Sequence, residues 1–307
     1  MTHIALVTYD KLPHLSADDQ LLIQPLADRG INAQPGVWTD AEFDWPSIDG
    51  VVVRSCWDYH LKLDRFVRWV AALQRLGVKV WNTPETLVWN SNKTYLRDLE
   101  RKGIAIVPTL WPENGFQLRE RVREAGWRSV VVKPRVSATA YRTCVISAQN
   151  IGEGQQQLDE LMAGPGAMVQ QFIEGIQTKG EWSLIFFAGR FSHAVLKLPK
   201  DGDFRVQHDF GGTQKIADAP PFVLHAASRV IAAVDPTPLY ARIDGVERDD
   251  EFLLMELELI EPALFLKLDP LAPARFADAI AACLKRPVGA SDQAASDKGT
   301  DSNSKFP

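Results

Sequence analysis

Residues 251–262 read EFLLMELELIEP, a run that interleaves acidic and apolar side chains. Side chains alternate along a strand, so this run sorts Leu253, Met255, Leu257 and Leu259 onto one face and Phe252, Leu254, Glu256, Glu258 and Ile260 onto the other. Two carboxylates then share an otherwise apolar face. At roughly 7 Å and an effective dielectric near 20 their repulsion is on the order of 2 kcal/mol before any desolvation cost, which a bound cation removes. The run just before it, LYARIDGV (239–246), is also strand-like, and the polar turn ERDD (247–250) joins the two. A hairpin would bring Asp244 in as a third carboxylate. Oxygen-only ligands of this kind suit Mg2+, with Mn2+ as the alternative, held jointly with phosphate oxygens. On this segment alone, a solvated face whose glutamates pair with Lys or Arg is an equal reading.

Upstream, SVVVKP (129–134), YRTCVIS (141–147), AMVQQFI (167–173), KGEWSLIFF (179–187) and RFSHAVLKLP (190–199) are strand-like runs, with a helical pattern over GQQQLDELMAG (154–164) and another over PPFVLHAASRVIAAV (220–234). An antiparallel α+β unit fits. The first 90 residues have a different rhythm. IALVTY (4–9) reads as a strand, SADDQLLIQPLADRG (16–30) as a helix, GVVVRSCW (50–57) as a strand, LKLDRFVRWVAALQRLG (61–77) as a helix and VKVW (78–81) as a strand. In the second helix Leu63, Phe66, Val67, Val70 and Leu73 fall on one face. Alternation of strand and helix favours a parallel α/β layer. A last helix is expected over 269–286, and residues 288–307, rich in Ser, Asp, Ala and Lys, read as a disordered tail.

The chain has 307 residues, 46% of them hydrophobic and 24% charged, which excludes a disordered or coiled-coil protein. With 34 Lys and Arg against 39 Asp and Glu, a net charge of −5, no cationic excess exists for a phosphate backbone, so nucleic acid is not the expected partner. Cys56, Cys144 and Cys283 show neither a disulfide framework nor a metal-ligand spacing. No window approaches the ~20 apolar residues that span a bilayer, and the N-terminus lacks a signal-peptide pattern. A cytoplasmic protein with no membrane partner is expected.

Four further groups carry potential chemistry. Lys133 ends the apolar run Val130, Val131 and Val132, so its ammonium projects from a buried strand and needs an anionic partner. Lys93 follows Ser91 and Asn92 at a helix start, where the helix dipole disfavours a cation unless a phosphate is near; an ordinary surface lysine is the alternative. In DGDFRVQHDFGGT (201–213), Arg205 precedes Gly211 and Gly212, which allow close backbone approach to a ligand; a mobile surface loop with an ordinary hairpin turn is an equal reading. RSCWDYH (54–60) follows a parallel strand, and the carboxyl ends of such strands face the ligand crevice of open α/β sheets, so Arg54, Trp57, Asp58 and Tyr59 are candidates there. Helix capping by Asp58 and core packing by Trp57 are the plain alternatives.

In order along the chain, an NK at a helix start, VVKP on a strand, a small-residue loop, VQQFI, a strand pair, an Arg before GG, an Asp and an E-x-E strand resemble the ATP-grasp superfamily of carboxylate-amine ligases, up to about Arg286. Within it the chain resembles glutathione-synthetase-type ligases, and RSCWDY with ELELIEPALFL is similar to the cycloserine synthetase subgroup. The resemblance implies an ATP-grasp fold, α/β and α+β, with an N-terminal parallel α/β domain (1–90), an ATP-grasp domain (91–287) with a lid over about 107–180, and the tail (288–307). It implies that Lys93 and Lys133 contact ATP phosphates, with Ser137 in the covering loop RVSATAYRT where many relatives are Gly-rich. Gln171, Phe172 and Ile173 would be the hinge that reads adenine through backbone groups, with Glu174 or Glu181 on the ribose. Lys197 and Arg205 would hold the γ-phosphate and the acyl-phosphate, and Asp244, Glu256 and Glu258 the Mg2+ ions. At the last position many relatives carry Asn. Arg54 would meet a substrate carboxylate, with Gly211 and Gly212 beside the substrate.

The implied reaction is ATP-dependent ligation of a small amino-acid-like carboxylate to an amine, within one molecule where a ring closes as in cycloserine. Phosphorylating the carboxylate turns an oxide leaving group into phosphate, and the amine attacks the acyl-phosphate. Arg205 would stabilise the oxyanion. Related ligases are often homodimers. A phosphotransferase on the same nucleotide site, and a non-catalytic nucleotide-binding regulator, are the alternative functions.

Overall fold

The computed structural model of the chain describes residues 1–199 and 212–285. β1 (Thr2–Thr8), β2 (Ile31–Val37), β3 (Gly50–Val53) and β4 (Val80–Trp81) form a parallel sheet in the order β2–β1–β3–β4. Inner strands of such a sheet are covered on both faces, and β1 and β3 bury Ala5, Leu6, Val51 and Val52 fully. Edge strand β2 was not expected: INAQPGV carries Gln34 and Pro35, and Pro is tolerated only where no ladder bond is required. The helix expected over 16–30 is a 3-10 turn at Asp19–Leu22 followed by the short α1 (Ile23–Ala27). α2 (Leu63–Arg75) buries Phe66, Val70 and Leu73 and is followed by Gly77 at φ 72°. Leu63 and Val67 are only half-buried, so its apolar stripe is narrower than the pattern implied.

α3 (Pro84–Asn90), started by Thr83 accepting from the Thr86 N–H, and α4 (Tyr95–Arg101) lead to the next layers. β5 (Thr109–Leu110), β6 (Ser129–Pro134), β7 (Cys144–Ser147) and β8 (Ala167–Gln171) form an antiparallel sheet in the order β5–β8–β6–β7. α5 (Leu118–Glu124) and α6 (Ile151–Met162) cover it through Leu118, Val122, Leu158 and Leu161. β9 (Glu181–Phe187), β10 (Arg190–Leu198), β11 (Thr213–Ile216), β12 (Tyr240–Arg248) and β13 (Glu251–Glu258) form a second antiparallel sheet in the order β11–β10–β9–β12–β13. α7 (Pro221–Ala232) packs on this sheet, while α8 (Ala272–Lys285) joins it to the N-terminal sheet: Phe276 stacks on Phe187 at 4.6 Å within a core that includes Ile4 and Leu6.

The β12–β13 hairpin has a different face pattern from simple alternation. Asp244 pairs with Glu256 and Gly245 with Leu254, so Met255 is an extra residue, a β-bulge. The bulge switches the faces. Leu253 and Met255 pack with Val107, Ile173 and Ile176 around Val246, whereas Phe252, Leu254, Leu257 and Leu259 enter the core under α7. Gly245 is required there by space, since a Cβ would lie 2.3 Å from the Phe252 ring and 2.5 Å from the Leu253 carbonyl. Among the described residues no helix is long and apolar enough to cross a membrane.

Candidate active site

A cavity of about 460 Å³ opens where the three sheets meet. Trp57 and Tyr59, from the segment after β3, line one side, and Lys133 on β6 with Ser137, Ala138, Thr139 and Ala140 after it line another. Gln171 ends β8, and Phe172 and Ile173 follow it with Val107, Ile176 and Met255 nearby, making an apolar end. Glu181 on β9, Lys197 on β10, Asp244 on β12, and Glu256 and Glu258 on β13 line the charged part, as does Lys93 just ahead of α4. Many of the residues singled out in separate stretches of sequence therefore converge.

The charged side chains neutralise one another in pairs and triads. Lys93 Nζ lies 3.0 Å from Glu256 Oε1 and donates to the Ser137 carbonyl at 2.7 Å. Lys197 is bonded to Glu181 and lies 3.2 Å from Asp244. Arg242, unremarked in the sequence, bonds Asp244 at 2.9 Å and also Glu258. Ser183 donates to Asp244 as well. Arg242 was legible from the strand period, being two residues before Asp244 and so on the same face.

Burial and neighbours push these groups apart. Burial would raise the Asp244 carboxyl, but Arg242 and Lys197 hold it below the usual range; burial would likewise raise Glu256, but Lys93 and Lys133 hold it down. Glu181 goes up because burial outweighs Lys197. Glu258 is pushed up to about 7 by burial, with Arg242 opposing and Asp244 and Glu256 adding. Glu261, another residue absent from the sequence expectations, is pushed well up by burial and then by Glu258. Burial lowers Lys133, with Glu256 partly restoring it.

Two groups from α3 and α4 fix the register of the acidic strand. The Asn90 side chain donates to the Leu257 carbonyl at 2.8 Å and accepts from the Leu259 N–H at 2.9 Å, and the Tyr95 hydroxyl accepts from the Leu257 N–H at 3.0 Å. They clamp the backbone on both sides of Glu258. Both sit beside Lys93, and only tertiary structure reveals their role. At the hinge, the N–H groups of Gln171 and Phe172 are donated to Pro108 and Ser129 carbonyls at 2.8 and 3.0 Å. The loop after β6, expected to cover the phosphates, has Thr139, Ala140 and Arg142 at φ of 52°, 55° and 51°, the left-handed region that Gly would occupy at lower cost.

Several expected residues lie elsewhere. Arg54 is 1% exposed and does not line the cavity: its Nε donates to Asp19 at 2.9 Å and its Nη2 to the Pro262 carbonyl at 2.8 Å, so the guanidinium is held inside the fold, with Nη1 left without a partner among the described residues. Asp58 accepts from Trp38 Nε1 and Lys62 Nζ outside the cavity. Glu174 is exposed on a 3-10 turn, which leaves Glu181 as the cavity carboxylate of that pair. Gly212 is buried and is not among the lining residues. Arg205, Gly211 and the tail fall outside the described residues.

Among the described residues no three His, Cys, Asp or Glu side chains form a ready-made metal cluster. The donor set still fits a hard cation. Among the described residues five carboxylates, Glu181, Asp244, Glu256, Glu258 and Glu261, face four cations, Lys93, Lys133, Lys197 and Arg242, and burial first, then Asp244 and Glu256, pushes Glu258 up to about 7. A triphosphate would add further negative charge, which oxygen-bound divalent cations offset.

A family model described as the D-cycloserine synthetase DcsG N-terminal domain matches residues 4–82. The cycloserine biosynthesis protein DcsG of Streptomyces lavendulae is 30% identical over 301 residues, covering 92% of this chain and 99% of that protein. Among solved structures, D-cycloserine synthetase DcsG superposes with a TM-score of 0.83 at 26% identity, covering 92% of this chain and all of that one. D-alanine–D-alanine ligase from Bacillus anthracis superposes with a TM-score of 0.65 at 14% identity, covering 92% and 97%.

Proposed function

The chain belongs to the cycloserine synthetase (DcsG) family of ATP-grasp ligases and is an ATP-dependent, ADP-forming carbon–nitrogen ligase, and we propose that its substrate is a small amino-acid-like carboxylate joined to an amine through an acyl-phosphate, with ring closure within one molecule as the preferred case. The convergence of four cations and five carboxylates in one cavity beside an apolar hinge carries this reading. Phosphoryl transfer needs positioning and charge compensation rather than a protein nucleophile.

Lys93 and Lys133 bind and orient the ATP phosphates, Lys133 from the strand end and Lys93 while braced by Ser137. Val107, Phe172, Ile173, Ile176 and Met255 receive the adenine, and Glu181 the ribose. Lys197 holds the γ-phosphoryl group as it moves to the substrate carboxylate, and Arg205 acts with it and steadies the oxyanion when the amine attacks. Asp244, Glu256 and Glu258 would hold Mg2+, or Mn2+ in its place, which when bound draws charge from the transferring phosphoryl group. The loop from Ser137 to Thr143 excludes water from the mixed anhydride.

The test is an ADP-release screen with ATP, Mg2+ and a panel of amino acids and analogues, with product masses and hydroxylamine trapping. A hydroxamate that forms only with ATP and the acid supports ligation. A stable phosphoester, or the absence of any acid-dependent ADP release, overturns it.

A further inference from the structure

Four of the five cavity carboxylates have a cation within 4 Å. Lys197 serves Glu181 and Asp244, Arg242 serves Asp244 and Glu258, and Lys93 serves Glu256. Among the described residues Glu261 has no such partner, although it lines the same cavity. Its main chain is tied to the substrate-side segment rather than to the strand that carries Glu256 and Glu258. Trp57 Nε1 donates to the Glu261 carbonyl at 3.2 Å, and Trp57 and Tyr59 line the cavity with it. Pro262, whose carbonyl holds Arg54, fixes the next residue, so Glu261 is anchored from both directions.

We propose that the Glu261 carboxylate binds the α-ammonium group of the acid substrate, with Trp57 and Tyr59 forming the aromatic part of that subsite. The inference rests on the ligase reading above. Glu261 is half-buried, and a ligand that fills the cavity takes its carboxylate out of solvent, which is costly unless a cation arrives with that ligand. The other four cavity carboxylates already share Lys93, Lys197 and Arg242. A zwitterionic amino acid brings one cation, and among the described residues the cavity holds one carboxylate with no cation within 4 Å. An ammonium beside Trp and Tyr rings gains cation–π attraction in addition to the charge-assisted hydrogen bond.

The experiment compares acids in pairs that differ only by the amino group, D- and L-alanine against propionate and D- and L-serine against 3-hydroxypropionate, on the full chain and on Glu261→Gln, by ADP release at saturating ATP and Mg2+. On the unmodified chain the amino-bearing member of a pair is favoured at least tenfold in kcat/KM. Glu261→Gln raises its KM about 10–100-fold, which removes the preference, and leaves the KM for ATP within twofold. Glu261→Asp, which keeps the charge on a shorter arm, restores part of the preference. Equal use of both members by the unmodified chain, or a preference that survives in Glu261→Gln, overturns the subsite. A preference lost in Glu261→Gln while the product is a phosphoester would leave the subsite standing and refute the ligase reading, so the two failures are distinct.

Discussion

Two buried arginine–aspartate pairs, Arg54–Asp19 and Arg242–Asp244, have the same 2.9 Å separation and do different work. Arg54 is sealed: it is 1% exposed, its guanidinium lies 4.9 Å from the Tyr240 ring and 5.7 Å from that of Phe276, its Nη2 donates to the Pro262 carbonyl, and Ser55 donates to Asp19. Arg242 opens on the cavity, and its aspartate is shared with Lys197 and Ser183 while its other arm holds Glu258. A closed pair whose remaining bonds go to neutral groups holds the N-terminal sheet to the segment after β13. A pair embedded in further charges can exchange partners with a ligand. Burial and distance do not separate structure from function here; connectivity to other charges does.

The largest expected effect is on activity at the open pair. Asp244→Asn keeps an acceptor for Ser183 but removes a charge shared by two cations and the implied metal. Turnover of the folded fraction in steady-state ADP release falls about 10³–10⁴-fold, roughly 4–5.5 kcal/mol of barrier. Turnover above a tenth of normal breaks the comparison.

At the sealed pair the loss is of stability. Arg54→Ala strands a buried Asp19 and costs about 3–5 kcal/mol, read as a lower urea midpoint, with ATP affinity of the folded fraction unchanged. Adding Asp19→Asn to Arg54→Met recovers part of that loss, because it removes the uncompensated charge. An ATP affinity that falls tenfold in parallel would return Arg54 to the substrate site.

That Arg54 was taken for a substrate residue shows where sequence stops. Its position at the end of β3 is legible, and such positions face a crevice, but Asp19 is 35 residues away on a 3-10 turn that the helical pattern of residues 16–30 conceals. The opposite case is Arg242, which the two-residue period of LYARIDGV puts beside Asp244 with no structure needed. Strand alternation failed only where Met255 bulges, since an inserted residue reverses the faces beyond it. The helical stripe of α2 and the buried strands β1, β3 and β6 were readable because burial on regular elements writes a period. The partners of Glu256, Glu258 and Asn90 lie across elements and write none.

The open pair also gives the fold a pH dependence. The folded-state pKa of Glu258 is raised from 4.5 to about 7 by burial, so the folded protein binds its proton more tightly than the unfolded chain. Its contribution is therefore fully present below about 4.5 and is lost as pH rises through about 7. Without ligands the urea midpoint should decline across that window by on the order of 2 kcal/mol. Glu258→Gln flattens the slope. Asp244 and Glu256 act with the opposite sign, since their depressed pKa values stabilise above the normal carboxylate range and are lost as the solution becomes more acidic. An unchanged slope in Glu258→Gln would assign the decline to other groups.

The smallest effect belongs to a third pair, Lys62 with Asp58, which supplies the surface limit of the comparison. Its ammonium lies 2.7 Å from the carboxylate, but the lysine side chain is 40% exposed and the two residues are four apart on the same turn. Solvent screens such pairs, and their measured worth is about 0.3–0.5 kcal/mol. Asp58 keeps its hydrogen bond from Trp38 at 2.8 Å when the lysine is removed. Lys62→Met should therefore shift the urea midpoint by less than about 0.5 kcal/mol and leave KM for both ATP and the acid unchanged. If KM for the acid rises several-fold instead, the segment after β3 recognises substrate through Asp58, and proximity to the cavity rather than connectivity within it decides which charges are functional.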